Sequence, residues 1–399
     1  MTEPKTILCL ASFEKGHGFL REAKRQGWRV FLLTSKSLEA VPWPRESIDE
    51  IFYVPDEDRV WQRNDVILGA SFLARTQHIH RIVALDDYDV ETAAALREHL
   101  RVPGMGETTA RYFRDKLAMR VKARESGIPV PEFAPVINYD DLREFMQRVP
   151  GPWLLKPRFE ASALGIRKIE RAEELWPALD ELGDRQSFHL LERFVPGEVF
   201  HVDSIVSEGE VVFAIACRYG APPMQVAHGG GIFSSLTLQY GCADERQLLA
   251  ANTTVLTAMG YVRGVSHTEF IKASDGTFHF LETAARAGGA NLMDMIEAAT
   301  GLNLWAEWAK VELQESDYRV TAERHEYAGV LISLARVEWP DLNVFDDPEI
   351  VLRIPRLHHV GLVWRSESLT RVEELQRCYI ERVQHEFHAS EPLPAHATE

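Results

Sequence analysis

Residues 6–12 are apolar and β-rich, Gly16-His17-Gly18 follows, residues 19–26 have the pattern of a short helix, and Trp28 to Thr34 form a second apolar run. That order is a βαβ unit. Strand-like runs at Ile51 to Val54 and Arg81 to Leu85 continue it, the second ending in Asp86-Asp87 before a helical stretch through Leu100. Strands alternating with helices predict a parallel sheet covered on both faces. Gly16-His17-Gly18 lacks the third glycine of a dinucleotide fingerprint, since Arg21 stands there, and so reads as a tight βα turn.

Residues 108–126 read as one helix, with Thr108 or Thr109 as cap and Gly127 as stop. Ile128-Pro129-Val130-Pro131 is extended. Trp153-Leu154-Leu155-Lys156-Pro157 is a short buried strand ending in a cation, and the small segment Ala161-Ser162-Ala163-Leu164-Gly165 separates it from the next strand. Phe188 to Val206 and Val211 to Arg218 carry β-branched and aromatic strand patterns, so the middle third is α+β. Ser266 to Ala273 and Thr277 to Thr283 predict a hairpin turning at Ser274-Asp275-Gly276. Leu292, Met295, Ile296 and Ala299 give residues 289–314 helical periodicity, broken near Gly301. Strand-like pieces follow at 329–336, 350–354 and 360–365, then a helix from Leu369 to about Phe387 and a frayed tail from Ser390. No internal repeat or low-complexity tract interrupts this order. It divides into an α/β domain at 1–110, a small domain at 111–190, a larger one at 191–315 and a β-rich region with a terminal helix at 316–399.

The length of 399 residues fits two or three domains, at about 150 residues each. With 45% hydrophobic and 26% charged residues the chain is of ordinary globular composition. The net charge of −16 argues against nucleic acid and anionic lipid as partners. The first apolar run is too short for a signal or a membrane span, which places the protein in the cytoplasm, off the membrane. Four cysteines stand far apart with no Cys-x-x-Cys, so they read as small buried residues, not as a disulfide framework or a zinc site. There is no phosphate-loop motif and no Gly-x-Ser-x-Gly, and His385-Glu386-Phe387-His388 has the wrong spacing for a helical zinc pair. His358-His359 reads as a strand pair.

What carries chemistry is an ordered series: Lys116, Lys156, the small loop 161–165, Glu192, Glu198, Glu269, Glu282 and Arg286. Singly each is an ordinary charge. Together they supply what a nucleoside triphosphate needs: point cations for phosphate oxygens, a backbone-donor loop, an apolar adenine slot and paired carboxylates for Mg²⁺. Glu269 and Glu282, on neighbouring hairpin strands, are placed to share one ion.

At this point the chain resembles the ATP-grasp superfamily, of the carboxylate-amine ligase type, including L-amino-acid ligases and biotin carboxylase relatives. The resemblance covers about residues 80 to 312. It rests on Arg114-Asp115-Lys116, Leu155-Lys156-Pro157 with Ala161 to Ile166, Leu191-Glu192-Arg193-Phe194-Val195-Pro196-Gly197-Glu198, His267-Thr268-Glu269-Phe270, and Phe280 to Gly289. It implies an ATP-grasp architecture, α/β and α+β, behind an N-terminal Rossmann-like domain. By the same resemblance Lys116 and Lys156 grip the α- and β-phosphates, and the loop around Ser162, Ala163, Leu164 and Gly165 closes as a lid. Glu192, with Arg193, Phe194 and Val195, lines the adenine edge, and Glu198 holds the ribose. Glu269 and Glu282 ligate Mg²⁺, with Mn²⁺ as the alternative ion. Arg286 sits over the reacting carboxyl, and Gly288-Gly289 opens a helix toward an anion. One departure stands out: the family usually has Asn where this chain has Ala284, and Thr283, Asn291 or water would have to substitute. Arg218 and His228, the latter before the glycine run 229–231, are the candidates for a third phosphate cation.

The reaction so implied is ADP-forming ligation: a carboxylate attacks the γ-phosphate, and an amine displaces phosphate from the acylphosphate. Asp86 and Asp87, at the end of a parallel strand, are candidates for the amine, against a reading in which they cap the next helix. The alternatives are a bicarbonate-activating carboxylase component and a non-catalytic ATP-binding regulatory protein. No methionine is followed by lysine, so any biotin carrier would be a separate chain. A homodimer is the assembly considered.

Overall fold

The computed structural model describes residues 4–57, 59–161 and 163–390. The N-terminal unit runs β1 (Thr6–Ala11), α1 (His17–Arg25), β2 (Arg29–Ser35), β3 (Glu50–Val54), the two-residue strands β4 (Asp56–Glu57) and β5 (Val60–Trp61), α2 (Arg63–Leu73), β6 (Arg81–Ala84) and α3 (Val90–Leu100). Its four-stranded sheet has the order β3-β2-β1-β6 and is parallel throughout. β1 is buried along its whole length, as a parallel strand covered on both faces must be. Ile7, Cys9 and Ala11 pack with Phe19 and Leu20 of α1, while Leu8 and Leu10 pack with Val66 and Ala70 of α2 and with Val90 and Leu96 of α3. Gly16 takes the left-handed conformation, φ 79°, at the start of α1.

The single helix expected over 108–126 is two: α4 (Glu107–Arg111) and α5 (Lys116–Glu125). Asp115 causes the break, because its carboxylate accepts from the backbone N–H of Leu117 and Ala118 and so starts a new helix. The small unit then follows as β7 (Phe133–Pro135), α6 (Tyr139–Arg148), β8 (Trp153–Pro157), β9 (Arg167–Ile169), α7 (Leu175–Leu182) and β10 (His189–Arg193). Its antiparallel sheet, ordered β7-β10-β8-β9, is covered by α6 and α7. The division drawn at residue 190 therefore cuts β10, which belongs with the small sheet.

The remainder runs β11 (Glu198–Ser207), β12 (Glu210–Tyr219), α8 (Pro223–Gly229), β13 (Phe233–Thr237), α9 (Ala243–Met259), β14 (Gly264–Lys272), β15 (Phe278–Ala284), α10 (Leu292–Thr300), α11 (Leu304–Gln314), β16 (Tyr327–Leu334), β17 (Ile350–Arg353), β18 (His359–Ser366) and α12 (Leu369–Glu386). One antiparallel sheet of eight strands, β15-β14-β11-β12-β13-β16-β18-β17, takes in all of its strands. The C-terminal strands therefore extend the large sheet through the β13–β16 pairing, where a β-rich region of its own was expected. α5 and α9 cover one face, and α10 and α11 lie between the other face and the N-terminal sheet. α1 meets α11 closely: a Cβ on Gly18 would stand 2.9 Å from Trp305 Cβ, and Phe19 meets Trp308 edge-on at 5.3 Å.

Cys9 and Cys217 are buried, as expected, but Cys378 is exposed, and the Cys242 sulfur caps α9 by accepting from Glu245 N. The tail beyond Ser390 lies outside the described residues. Among the described residues no helix is long and apolar enough to cross a membrane.

Candidate active site

The three sheets meet around a cavity of about 470 Å³. The N-terminal sheet sends Phe13, Lys15, Asp86, Asp87 and Tyr88 into it from the carboxyl ends of β1 and β6, where ligands of open parallel sheets sit. The large sheet supplies Tyr219, His267, Glu269 and Glu282, and the small sheet Lys156. Met119, Leu154, Ile271 and Leu281 form an apolar wall beside the connector from β10 to β11.

Lys116 opens α5, and its backbone N–H donates to Arg158 O at 3.0 Å, which ties the helix start to the end of β8. Its Nζ lies 2.7 Å from the Glu282 carboxylate and 2.6 Å from Glu160 O. Lys156 pairs with Glu192, diagonally across the β8–β10 ladder and on the same face. The other Glu192 oxygen accepts from Arg120 Nε at 2.6 Å. Burial pushes the Glu192 carboxyl up, but Arg120 and Lys156 outweigh that and hold it below the ordinary range. Glu192, expected at the adenine edge, lines the cavity as a buried carboxylate that anchors two cations. The neighbouring N–H groups are also committed, Arg193 N to Glu132 O at 2.8 Å and Phe194 N to Pro152 O at 2.9 Å; Val195 lines the cavity.

Glu198 and Arg218 do not line the cavity. They pair with each other at 3.2 Å, and Arg218 also comes within 4.0 Å of Glu373 on α12. Tyr219 and Cys217 pack toward the α10–α11 side of β12, and Ala216 toward the α9 side. Strand alternation therefore turns Arg218 away from the cavity that Tyr219 faces. His228 is not on a glycine loop but in the last turn of the short helix α8, its Nε2 3.3 Å from Ala163 O. There it touches the segment expected to form a lid. Within that segment Ser162 lies outside the described residues, Ala163 and Leu164 line the cavity, and Gly165, with φ 67°, lies just behind.

Glu269 and Glu282 stand opposite each other in the β14–β15 ladder, with a bulge just after Glu269. Glu269 Oε1 accepts from the Tyr219 hydroxyl at 2.7 Å and lies 3.6 Å from His267 Nε2. Burial raises the Glu269 carboxyl, but His267 and Tyr219 outweigh it and hold it below its usual value. His267, which burial alone would lower, is pushed up to about 10 by Asp203 and Glu269. Two oxygen donors on one hairpin face suit a hard divalent ion. Of the substitutes considered for the residue at Ala284, Thr283 is bonded away from the site, its Oγ1 2.8 Å from Thr268 Oγ1, while Asn291 is held through its amide nitrogen, which donates to Asp294 at 2.8 Å.

At the other end Arg286 Nε donates to Asp87 Oδ2 at 2.9 Å, and Asp87 Oδ1 is buried with no hydrogen-bond partner among the described residues. Burial raises the Asp87 carboxyl, yet Arg286, Arg114 and Lys15 hold it below normal. Asp86 caps the short 3₁₀ turn Asp87–Asp89 that precedes α3, not α3 itself, accepting from Tyr88 N at 3.1 Å, and it also pairs with Lys15 at 2.5 Å. Behind it, burial and the Asp86 charge push the Asp89 carboxyl up to about 7. Gly288 and Gly289 do not open a helix. Ala290 and Asn291, with φ 49° and 57°, intervene before α10 begins at Leu292, and of the two glycines Gly289 lines the cavity.

Lys15, Tyr88, Arg120 and Tyr219 line the cavity and were not singled out by the sequence reading, and Arg114 and His267, which line it too, were quoted there within motifs but given no role. Alternation along β12 and β14 carries the signal for two of them: Tyr219 shares a face with the apolar Cys217, and His267 shares one with Glu269.

No family model matches the chain. Over 263 residues it is 27% identical to the L-arginine-specific L-amino acid ligase of Bacillus subtilis, a match covering 64% of this chain and 62% of that protein. Over 223 residues it is 27% identical to the D-alanine--D-alanine ligase of Cupriavidus taiwanensis, covering 53% of this chain and 67% of the relative. The chain thus spans less than two thirds of the first of these relatives. Among solved structures, the L-amino acid ligase from Bacillus licheniformis superposes with a TM-score of 0.76 at 20% identity, over 97% of this chain and 99% of that one. The N5-carboxyaminoimidazole ribonucleotide synthetase from Thermus thermophilus does so with a TM-score of 0.72 at 20% identity, over 97% and 100%.

Proposed function

The chain has the ATP-grasp fold, and on that premise we propose that it is an ATP-dependent ligase joining a small-molecule carboxylate to an amine, with release of ADP and phosphate. The observation that carries this reading is the convergence of Lys116, Lys156, Glu269, Glu282 and Arg286, from separate elements, on one cavity. The names of its relatives as amino acid ligases support it.

In this reading Lys116 and Lys156 turn from Glu282 and Glu192 to phosphate oxygens, and the apolar wall of Met119, Leu154, Ile271 and Leu281 receives the adenine. Glu269 and Glu282 would hold Mg²⁺, or Mn²⁺, which would neutralise charge on the transferring phosphoryl group. Arg286, fixed by Asp87, stands over the carboxyl and stabilises the oxyanion that forms when the amine attacks. Ala163 and Leu164 close over the nucleotide and exclude water. Asp87, with its unpartnered oxygen, is the acceptor for the amine. With this go a cytoplasmic location, no nucleic-acid partner and a homodimer as the assembly to test.

The test is ADP and phosphate release from ATP and Mg²⁺, with pooled amino acids and small carboxylates offered alone and then with pooled amines. Release that needs acid and amine together supports the ligase. Release with bicarbonate in place of the acid would point to the carboxylase alternative, and ATP binding with no release in any pool to the regulatory one.

A further inference from the structure

Behind Glu269 lies a run of buried polar side chains that the cations and carboxylates above do not account for. His201 Nε2 is 2.8 Å from Ser235 Oγ, and its Nδ1 is 2.7 Å from Asp203 Oδ2. His267 Nδ1 is 2.9 Å from Asp203 Oδ1, and its Nε2 is 3.2 Å from the Tyr219 oxygen. Tyr219 in turn donates to Glu269 Oε1. Ser235, His201, Asp203, His267 and Tyr219 are all buried. Such a network is unfavourable unless it is fully partnered, and here both imidazoles and both Asp203 oxygens are.

The ladder explains the assembly. Asp203 pairs with His267, and His201 with Glu269, across β11 and β14, so all four side chains share one face. Ala284 stands opposite His267 across β14 and β15, offering only a methyl group. Gly288 closes the other side, where a Cβ would approach Asp203 Oδ1 and His267 Nδ1 to 3.1 Å. Direction follows from donor chemistry. The Asp203 carboxylate accepts from both Nδ1–H groups, which fixes the His267 ring with Nε2 toward Tyr219. The single Tyr219 proton then goes to Glu269 Oε1, leaving Oε2 for a ligand.

We propose that Tyr219 and His267, locked by Asp203, are positioning residues that hold Glu269 with Oε1 occupied and Oε2 presented to the divalent ion. The inference rests on the ligase reading only in taking Glu269 as an ion ligand. Loss of such outer partners costs about 10- to 100-fold in metal affinity.

The experiment uses the full chain with the β,γ-imido analogue of ATP, comparing the parent with Tyr219→Phe and Asp203→Asn. Free Mn²⁺ is followed by electron paramagnetic resonance, and nucleotide binding in EDTA by calorimetry. Tyr219→Phe, which removes one hydroxyl and keeps the ring, is expected to bind the analogue in EDTA as the parent does and to lose about tenfold or more in Mn²⁺ affinity. Asp203→Asn is expected to do the same. Unchanged Mn²⁺ affinity in Tyr219→Phe overturns the inference, as does an equal loss of nucleotide affinity in EDTA, which would mark a purely structural role. A parent that binds the analogue but no Mn²⁺ overturns the ion-ligand reading of Glu269 and this inference with it.

Discussion

Glu192→Gln is the substitution that tests the reading of the cavity most directly. In the parent, one buried carboxylate serves two cations, Arg120 at 2.6 Å on one oxygen and Lys156 on the other. Glutamine keeps the volume and the acceptor oxygen but removes the charge, leaving two buried cations uncompensated. Breaking a buried pair from one side costs about 3–5 kcal/mol, a large part of the roughly 5–15 kcal/mol that holds a folded chain. The depressed Glu192 carboxyl contributes stability that is present above the ordinary carboxyl range and lost as pH falls through its folded value, so the difference between parent and variant shrinks in acid.

On the proposed reading nucleotide should reverse part of the loss, because phosphate oxygens would supply Lys156 with the missing anion. Saturating ligand at 100 times its Kd stabilises any native state by about 2.7 kcal/mol. At the same nucleotide concentration the variant should gain more than the parent. The assay is urea unfolding at pH 7.5 with and without the ATP analogue. An unfolding free energy within about 0.5 kcal/mol of the parent, the range of a surface substitution, would refute the reasoning. So would equal gains from nucleotide.

Arg286→Ala should lower ADP release with acid and amine by about 100-fold or more while ATP still binds, as loss of an oxyanion donor does; steady-state turnover beside calorimetry checks it. Asp87→Asn should raise the KM for the amine with a smaller effect on the KM for ATP, whereas Asp86→Ala should remove the cap at a cost of about 1 kcal/mol, seen as a lower unfolding midpoint. Asp89, raised to about 7 in the fold, binds a proton that the unfolded carboxyl has already lost. Its contribution to stability therefore falls by about 1.4 kcal/mol per pH unit from its unfolded pKa up to that value. Asp89→Asn, a permanently neutral isostere, should be more stable than the parent at pH 8 and lose that advantage near pH 4, in unfolding curves taken across the range.

The N-terminal sheet is legible in the chain because β1 and β2 are unbroken apolar runs and each side chain faces a helix layer. Of the ordered lysines and glutamates, Lys116, Lys156, Glu192, Glu269 and Glu282 line one cavity and Glu198 does not. What spacing does not show is partnership. Lys156 and Glu192 are far apart in sequence and meet only through a diagonal register in an antiparallel ladder. Arg218 and Tyr219 differ by one position, and one position changes the face of a strand, so the residue with the more suggestive chemistry lies on the wrong side. The helix over 108–126 splits because Asp115 is a strong cap in the middle of a helical pattern. α8 was hidden by the glycine run that ends it, and the C-terminal strands by their distance in sequence from β13, the strand that ties them to the large sheet.

Four of the cations facing the cavity are matched by carboxylates already present: Lys116 by Glu282, Lys156 by Glu192, Arg286 by Asp87 and Lys15 by Asp86. On the proposed ligase reading a triphosphate enters by exchange with these pairs, and its affinity reflects the difference between new pairs and old ones. The pairs are not equivalent. When Lys156 turns to phosphate, Glu192 keeps Arg120 and stays partnered. When Lys116 turns to phosphate, Glu282 loses its cation and stands opposite Glu269, a like charge in the same ladder. Nucleotide alone thus leaves two carboxylates facing each other, and a divalent ion alone leaves Lys116 without its anion. Each ligand removes the penalty the other creates, so their affinities are coupled and the coupling is reciprocal. Lys116 and Glu282, adjacent at 2.7 Å, are the pair through which it runs.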